Sequence, residues 1–256
     1  MAEVAYASYP SLAGRTVFVS GGASGIGESI VRAFAAQGAK VGFVDLLEKE
    51  GSDFAEELRG GGADAHFVPC DLTNIPALKR AIADIAKKLG PITVIVNNAA
   101  NDTRHDWQAE TSESWDARVG VNLKHFFFAI QAIAPGMIET GGGSIINFGS
   151  ISWMIGQGGM PVYTTSKAAV HGMTRSFARD LGPHRIRVNT VAPGWIMTRR
   201  QLELWVDEST DKVIGERQCL PDRLQPEDVA RLVLFLASDD SRMCSAQNFI
   251  IDGGWA

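Results

Sequence analysis

Apolar and polar positions along the chain alternate between two periods. Short, mainly apolar runs, Thr16–Ser20 (TVFVS), Lys40–Asp45 (KVGFVD), Ala65–Pro69 and Thr93–Asn97 (TVIVN), read as strands, the last as expected for a parallel sheet covered on both faces. Between them lie stretches with apolar residues three and four apart. One carries Ile26, Ile30, Val31, Phe34 and Ala35 and ends at Gly38. Another is Glu48–Arg59, stopped by Gly60-Gly61-Gly62, and a third is Ile75–Leu89, stopped by Gly90-Pro91. Further on, Ser112–Ile138 predicts one long helix capped within Ser112-Glu113-Ser114. Ser144–Gly149 predicts a strand, Val162–Leu181 a helix, Arg185–Ala192 a strand, Pro226–Ser238 a helix and Asn248–Asp252 a last strand. The stretch from Met197 to Gly215 is polar and aromatic with no clean period.

Seven strands alternating with helices, without repeat or Ser/Pro-rich linker, predict an α/β fold: a doubly wound domain over 1–256 with a seven-stranded parallel sheet. The expected variable segment for substrate is about 195–220.

Charge changes this picture only by exclusion. The chain has 24 Lys plus Arg against 29 Asp plus Glu, a formal net charge of −5, which argues against a polyanion or an anionic membrane surface as main partner. No apolar run approaches the roughly 18 residues of a membrane span. Met1–Pro10 holds a Glu and no Lys or Arg, unlike the start of a signal peptide. Cys70, Cys219 and Cys244 are odd in number and lack zinc-ligand spacing, so neither a disulfide framework nor a metal site is expected. A reducing cytoplasm is the expected compartment. Six Trp against three Tyr is the compositional oddity.

Candidate chemistry begins at the turn Ser20-Gly21-Gly22-Ala23-Ser24-Gly25-Ile26-Gly27, between the first strand and its helix. Glycines let the backbone approach a pyrophosphate, and a helix start offers free N–H groups. Asp45, eighteen residues past Gly27, closes the second strand, where a carboxylate accepts ribose hydroxyls and repels a 2′-phosphate. NAD is therefore favoured over NADP. Asp71-Leu72 and Asn97-Asn98-Ala99-Ala100 follow the next two strands, at the carboxyl ends where such sheets bind ligands. Tyr163 and Lys167 are four apart and share a helix face, so an ammonium lies beside a phenol; Ser150 ends the preceding strand.

These motifs together resemble the short-chain dehydrogenase/reductase family over nearly the whole chain. They comprise the Ser20–Gly27 turn, Asp71-Leu72, Asn97-Asn98-Ala99, Asn122, Ser150, Tyr163-Thr164-Thr165-Ser166-Lys167, and Pro193-Gly194 followed by Thr198. The resemblance implies that Tyr163 is the general acid/base, that Ser150 orients the substrate oxygen and that Lys167 holds the nicotinamide ribose and lowers the tyrosine pKa. Asn122 would hold a relay water. Gly21, Ser24, Gly25, Ile26, Gly27, Asp45, Asp71, Leu72, Asn98, Ala99, Ala100, Tyr163 and Lys167, with Pro193, Gly194, Ile196 and Thr198, would hold the cofactor. Two departures stand out: Ser20 replaces the usual threonine, and Ala100 the usual glycine, which puts a methyl near the cofactor.

Strings outside those motifs, such as Asn101-Asp102-Thr103-Arg104-His105 and Asn147 through Trp153, look like bacterial aldose 1-dehydrogenases, which oxidise pentoses such as D-xylose or L-arabinose to lactones. Expected substrate contacts are Asn101, His105, Ser150, Ser152, Trp153, Gln157, Tyr163, Trp195 and Arg199, with Trp205 a further candidate. A dehydrogenase of another polyol, secondary alcohol or steroid-like ketone is the alternative. A catalytically silent scaffold is disfavoured, because Asn122, Ser150, Tyr163 and Lys167 are all present. The family resemblance also implies a homo-oligomer, a tetramer or dimer; Phe126-Phe127-Phe128 and Phe177 are expected either at its interface or buried within the protomer.

Overall fold

The computed structural model describes residues 6–256, so the first five residues of the Met1–Pro10 stretch lie outside the described residues. Among the described residues seven strands form one sheet: β1 (Thr16–Ser20), β2 (Lys40–Asp45), β3 (Ala65–Pro69), β4 (Ile92–Asn97), β5 (Gly143–Phe148), β6 (Ile186–Pro193) and β7 (Asn248–Ile251). Their order is β3-β2-β1-β4-β5-β6-β7 and every pairing is parallel. The helices are α1 (Gly25–Ala36), α2 (Glu48–Gly60), α3 (Ile75–Leu89), α4 (Ser112–Val119), α5 (His125–Glu139), α6 (Pro161–Leu181), α7 (Arg199–Leu204), α8 (Glu208–Arg217) and α9 (Pro226–Ala237).

The pleat sends alternate residues of each strand to opposite layers. In β1, Val17 and Val19 join a core with Ile30, Phe34, Val229 and Val233 of α1 and α9, while Phe18 joins Leu78, Ile82 and Ile130 of α3 and α5 on the other face. With both faces covered, all five residues of β1 are buried, which is why its sequence lacks alternation. Strand order reverses between β1 and β4, so the carboxyl ends of these two strands flank the crevice where a doubly wound sheet takes its ligand.

Two expectations change. The single helix over Ser112–Ile138 is α4 and α5 joined through a π-helical turn at Gly120–Lys124, and Thr111 rather than Ser112 caps it, in a reciprocal pair with Ser114. The aperiodic Met197–Gly215 stretch holds α7 and most of α8, started by the side chains of Thr198 and Asp207. Neither shows a stripe in the sequence because neither packs on the core: α7 has no buried residue and α8 only Ile214.

Candidate active site

A cleft of about 1190 Å³ runs along the carboxyl ends of the strands, from Asp45 past the glycine turn to Tyr163 and Trp195. At its first end the turn is shaped for close approach. Gly21 and Gly25 have φ of 69° and 56°, in the left-handed region. A Cβ on Gly27 would lie 1.8 Å from the Gly21 carbonyl oxygen. Ser20 shows what its hydroxyl does: its Oγ accepts the Asn98 and Ala99 amides at 3.0 and 3.2 Å, tying the turn to the β4 loop. Asn98 Nδ2 donates to the Ser20 and Gly21 carbonyls, both at 3.1 Å. Ala100 stays outside the left-handed region, so its methyl brings no backbone strain.

Asp45 is aimed by two amides: Ala23 N donates to Oδ2 at 3.0 Å and Leu47 N to Oδ1 at 3.2 Å. Glu28, Glu50, Asp53 and Glu57 line the same cleft. Gly21, Ser24, Gly25, Ile26, Gly27, Asp71, Leu72, Asn98, Ala99, Ala100, Pro193, Gly194, Ile196 and Thr198 all line the same cleft. Glycine cradle, helix start and aimed carboxylate together fit a dinucleotide.

At the other end, Tyr163, Lys167 and Ser150 converge, all three lining the cleft. Lys167 is buried; its Nζ donates to the Phe148 carbonyl at 2.8 Å and lies 5.6 Å from the Tyr163 ring centre. Burial pushes the Lys167 ammonium down to about 7, against the upward pull of the Asp102 carboxylate. Burial and Asp102 push the Tyr163 phenol up to about 12, opposed by a hydrogen bond with Ser150 and by the Arg104 charge. Protein groups alone thus raise the tyrosine, where the family resemblance implied a lowered value.

The expected substrate residues divide. Asn101, Gln157, Trp195 and Arg199 line the cleft. His105, Ser152 and Trp153 do not. His105 is a structural cap: its Nδ1 faces the Thr103 carbonyl at 3.1 Å, and its Nε2 accepts the Val162 amide in the first turn of α6 at 3.3 Å. Ser152 is buried with its hydroxyl unpartnered, and Trp153 packs edge-on against His171 with ring centres 5.0 Å apart. Trp205 lies beneath the Arg104 guanidinium, 4.9 Å away, outside the cleft lining. Asn122 is spent on backbone: Oδ1 accepts the Asn101 amide at 2.9 Å, and Nδ2 donates to the Asn101 and Arg118 carbonyls at 3.1 and 3.0 Å. It fixes the β4 loop across the π turn.

Asp102, Arg104, Met160, Gln201 and Trp255, none of them an expected contact, also line the cleft. Trp255 stacks near Trp195, with centres 6.5 Å apart. For Asp102 and Arg104 the signal was their place inside the Asn101–His105 string.

Residues 21–256 match the family described as enoyl-(acyl carrier protein) reductase. The chain is 47% identical to a D-xylose 1-dehydrogenase of Caulobacter vibrioides over 249 residues, covering 97% of this chain and 98% of that one. It is 46% identical to a probable galactose dehydrogenase of Rhizobium meliloti, covering 96% of each. Among solved structures, a blue fluorescent protein from a metagenomic library in complex with NADPH superposes with a TM-score of 0.89 at 33% identity, over 96% of this chain and 99% of that one. A 7α-hydroxysteroid dehydrogenase complexed with NADH and 7-oxo glycochenodeoxycholic acid gives 0.92 at 29% identity, over 97% and 96%. With this fold, this cleft and these relatives, the chain belongs to the short-chain dehydrogenase/reductase family of nicotinamide-dependent oxidoreductases.

Proposed function

We propose that this enzyme is an aldose 1-dehydrogenase that oxidises the anomeric hydroxyl of a cyclic sugar, a pentose such as D-xylose or L-arabinose, to the lactone, with NAD as acceptor. The observation carrying this reading is the wall beyond Tyr163. It combines the guanidinium of Arg104 and the amides of Asn101 and Gln157 with the indole of Trp195. Such a wall suits a molecule with hydroxyls around its edge and C–H groups on its faces. The names of the two relatives, one acting on D-xylose and one a probable galactose dehydrogenase, point to the same substrate class.

When bound, the nicotinamide supplies the hydride acceptor. The protein's part is the proton and the geometry. Ser150 donates to O1 of the sugar, Tyr163 takes the O1 proton as the C1–H bond breaks, and Lys167, with Nζ 5.6 Å from the Tyr163 ring centre, favours the phenolate in those molecules where it carries its proton, a fraction that falls as pH rises through about 7. NAD is preferred over NADP because a 2′-phosphate would meet the carboxylate of Asp45, already fixed by two amides. We assign the whole chain to one catalytic domain, with substrate choice carried by about 195–220.

We further place the enzyme in the cytoplasm as a homo-oligomer. Among the described residues no helix is long and apolar enough to cross a membrane. Trp115 and Phe127 stand exposed on α4 and α5, and the Phe127 ring packs against Phe177 at 5.3 Å. Phe126 takes the second of its two expected places, fully buried in the protomer.

The test is a panel of pentoses, hexoses, polyols and secondary alcohols with NAD and with NADP, followed at 340 nm. Turnover of D-xylose, L-arabinose or D-galactose with NAD, abolished in Tyr163→Phe with NAD binding retained, is expected. Turnover of the alcohols and none of the sugars would overturn the proposal.

A further inference from the structure

We propose that Asp102 is a positioning residue for the dehydrogenase reaction: its carboxylate latches α7, one wall of the cleft, to the loop after β4. Asp102 is only 19% exposed in its side chain, and donors converge on it from both sides. Gln201 Nε2 donates to Oδ2 at 2.7 Å and Arg200 Nε to Oδ1 at 3.5 Å, both from α7. Arg104 Nη1 lies 3.6 Å from Oδ2 on the loop's own side. Arg200 Nη2 adds a bond to Thr103 Oγ1 at 3.1 Å.

What makes these bonds a latch is how little else holds α7. It has no buried residue, and Arg199 pairs only within the helix, with Glu203. Among the described residues, its side-chain hydrogen bonds to other elements end on Asp102 and Thr103. Yet α7 occupies a critical place. Thr198 caps its start by accepting the Gln201 amide, and the Thr198 methyl would lie 3.2 Å from a Cβ on Gly25 of the glycine turn. One short helix therefore spans from the phosphate cradle to the substrate wall, and one carboxylate sets where it sits. The same charge acts on Tyr163 and Lys167, raising both. Position of the wall and electrostatics of the acid/base pair thus share a residue. The substrate's identity in this inference rests on the proposed function; the latch itself does not.

The test uses Asp102→Asn, Gln201→Ala and their combination, because Gln201→Ala cuts the same bond from the exposed side. In protein without added ligand, backbone amide exchange over 199–206 is expected to quicken about tenfold in Asp102→Asn and less in Gln201→Ala, which keeps the Arg200 contact, with the double no faster than Asp102→Asn alone. With sugar and NAD, Asp102→Asn is expected to lose about tenfold in kcat/KM and Gln201→Ala less, the double no more than Asp102→Asn alone. Unchanged exchange, or losses that add, would overturn the latch. So would a rise confined to the sugar KM of Asp102→Asn with Gln201→Ala silent, which would make Asp102 a hydroxyl ligand. Failure of every sugar to react would leave the exchange readout intact and count against the substrate alone.

Discussion

Lys167 should cost the folded protein stability, and the cost should depend on pH in a defined direction. Its ammonium is buried and its pKa falls to about 7, against 10.5 in an unfolded chain. Between those values the unfolded state binds the proton that the native state has released, so stability rises with pH across this window. Integrating gives a penalty of about 4 kcal/mol at pH 7 and about 2 kcal/mol at pH 9. Lys167→Met removes the titration while keeping an unbranched chain in the same space. It also orphans the Phe148 carbonyl, which Nζ meets at 2.8 Å, at a loss of about 1–3 kcal/mol that does not vary with pH. The absolute difference between the two proteins therefore mixes opposing effects. The change of that difference with pH does not. Urea unfolding followed by tryptophan fluorescence, at equal protein concentration and without added dinucleotide, should show the variant gaining about 2 kcal/mol relative to the parent as pH falls from 9 to 7. His125 is also buried, with its pKa pushed down to about 3, but it is common to both proteins and its unfolded value lies below this window. Equal differences at both pH values would mean that Lys167 keeps its ordinary pKa, and the argument from burial would fail. The variant should also be inactive, since stability gained here is function lost.

Three further outcomes follow from the same geometry. Gly27→Ala places a methyl 1.8 Å from the Gly21 oxygen, so calorimetric NAD binding should be lost and denaturant stability should drop by about 1–3 kcal/mol. Asp45→Ala should narrow the ratio of kcat/KM for NAD over NADP by about tenfold, and an unchanged ratio would free the carboxylate of that role. His105→Ala should lower stability by about 1–3 kcal/mol, because it leaves the Val162 amide without its acceptor and the Thr103 carbonyl with Arg118 Nη1 alone, whereas Trp153→Ala should leave the sugar KM within about twofold.

Strands and core helices were legible because burial on both faces writes itself into composition: Val17, Phe18 and Val19 run unbroken through β1, and α3 carries Leu78, Ile82 and Ile85 on its core side. The glycine turn, Asp45, Tyr163 and Lys167 were legible because close approach and proton transfer each demand particular residue types at fixed spacing. The π turn at Gly120–Lys124 was not, since one extra residue per turn leaves a helical sequence looking helical. Nor were α7 and α8, which are stabilised by caps and a carboxylate latch rather than by an apolar stripe. Asp102 reads as a solvated loop acid until its partners, 98 and 99 residues later, are brought to it.

The three misplaced sugar contacts share one physical cause. Adjacency to a motif brings a residue's backbone near a site without setting the direction of its side chain. After Ser150 the chain makes a 3₁₀ turn over Ile151–Trp153, started by the Ser150 hydroxyl accepting the Ser152 amide at 3.1 Å. With three residues per turn, successive side chains point about 120° apart. Ser150 and Ile151 reach the cleft, Ser152 turns into the core and Trp153 turns out to His171. On the β4 loop Asn101, Asp102 and Arg104 line the cleft, while His105 turns away to cap α6. The cap is not idle: the helix it starts carries Tyr163 one residue after the amide it accepts. His105 therefore acts on the chemistry through the placement of Tyr163, and its loss should lower kcat through that placement while leaving the affinity for NAD unchanged.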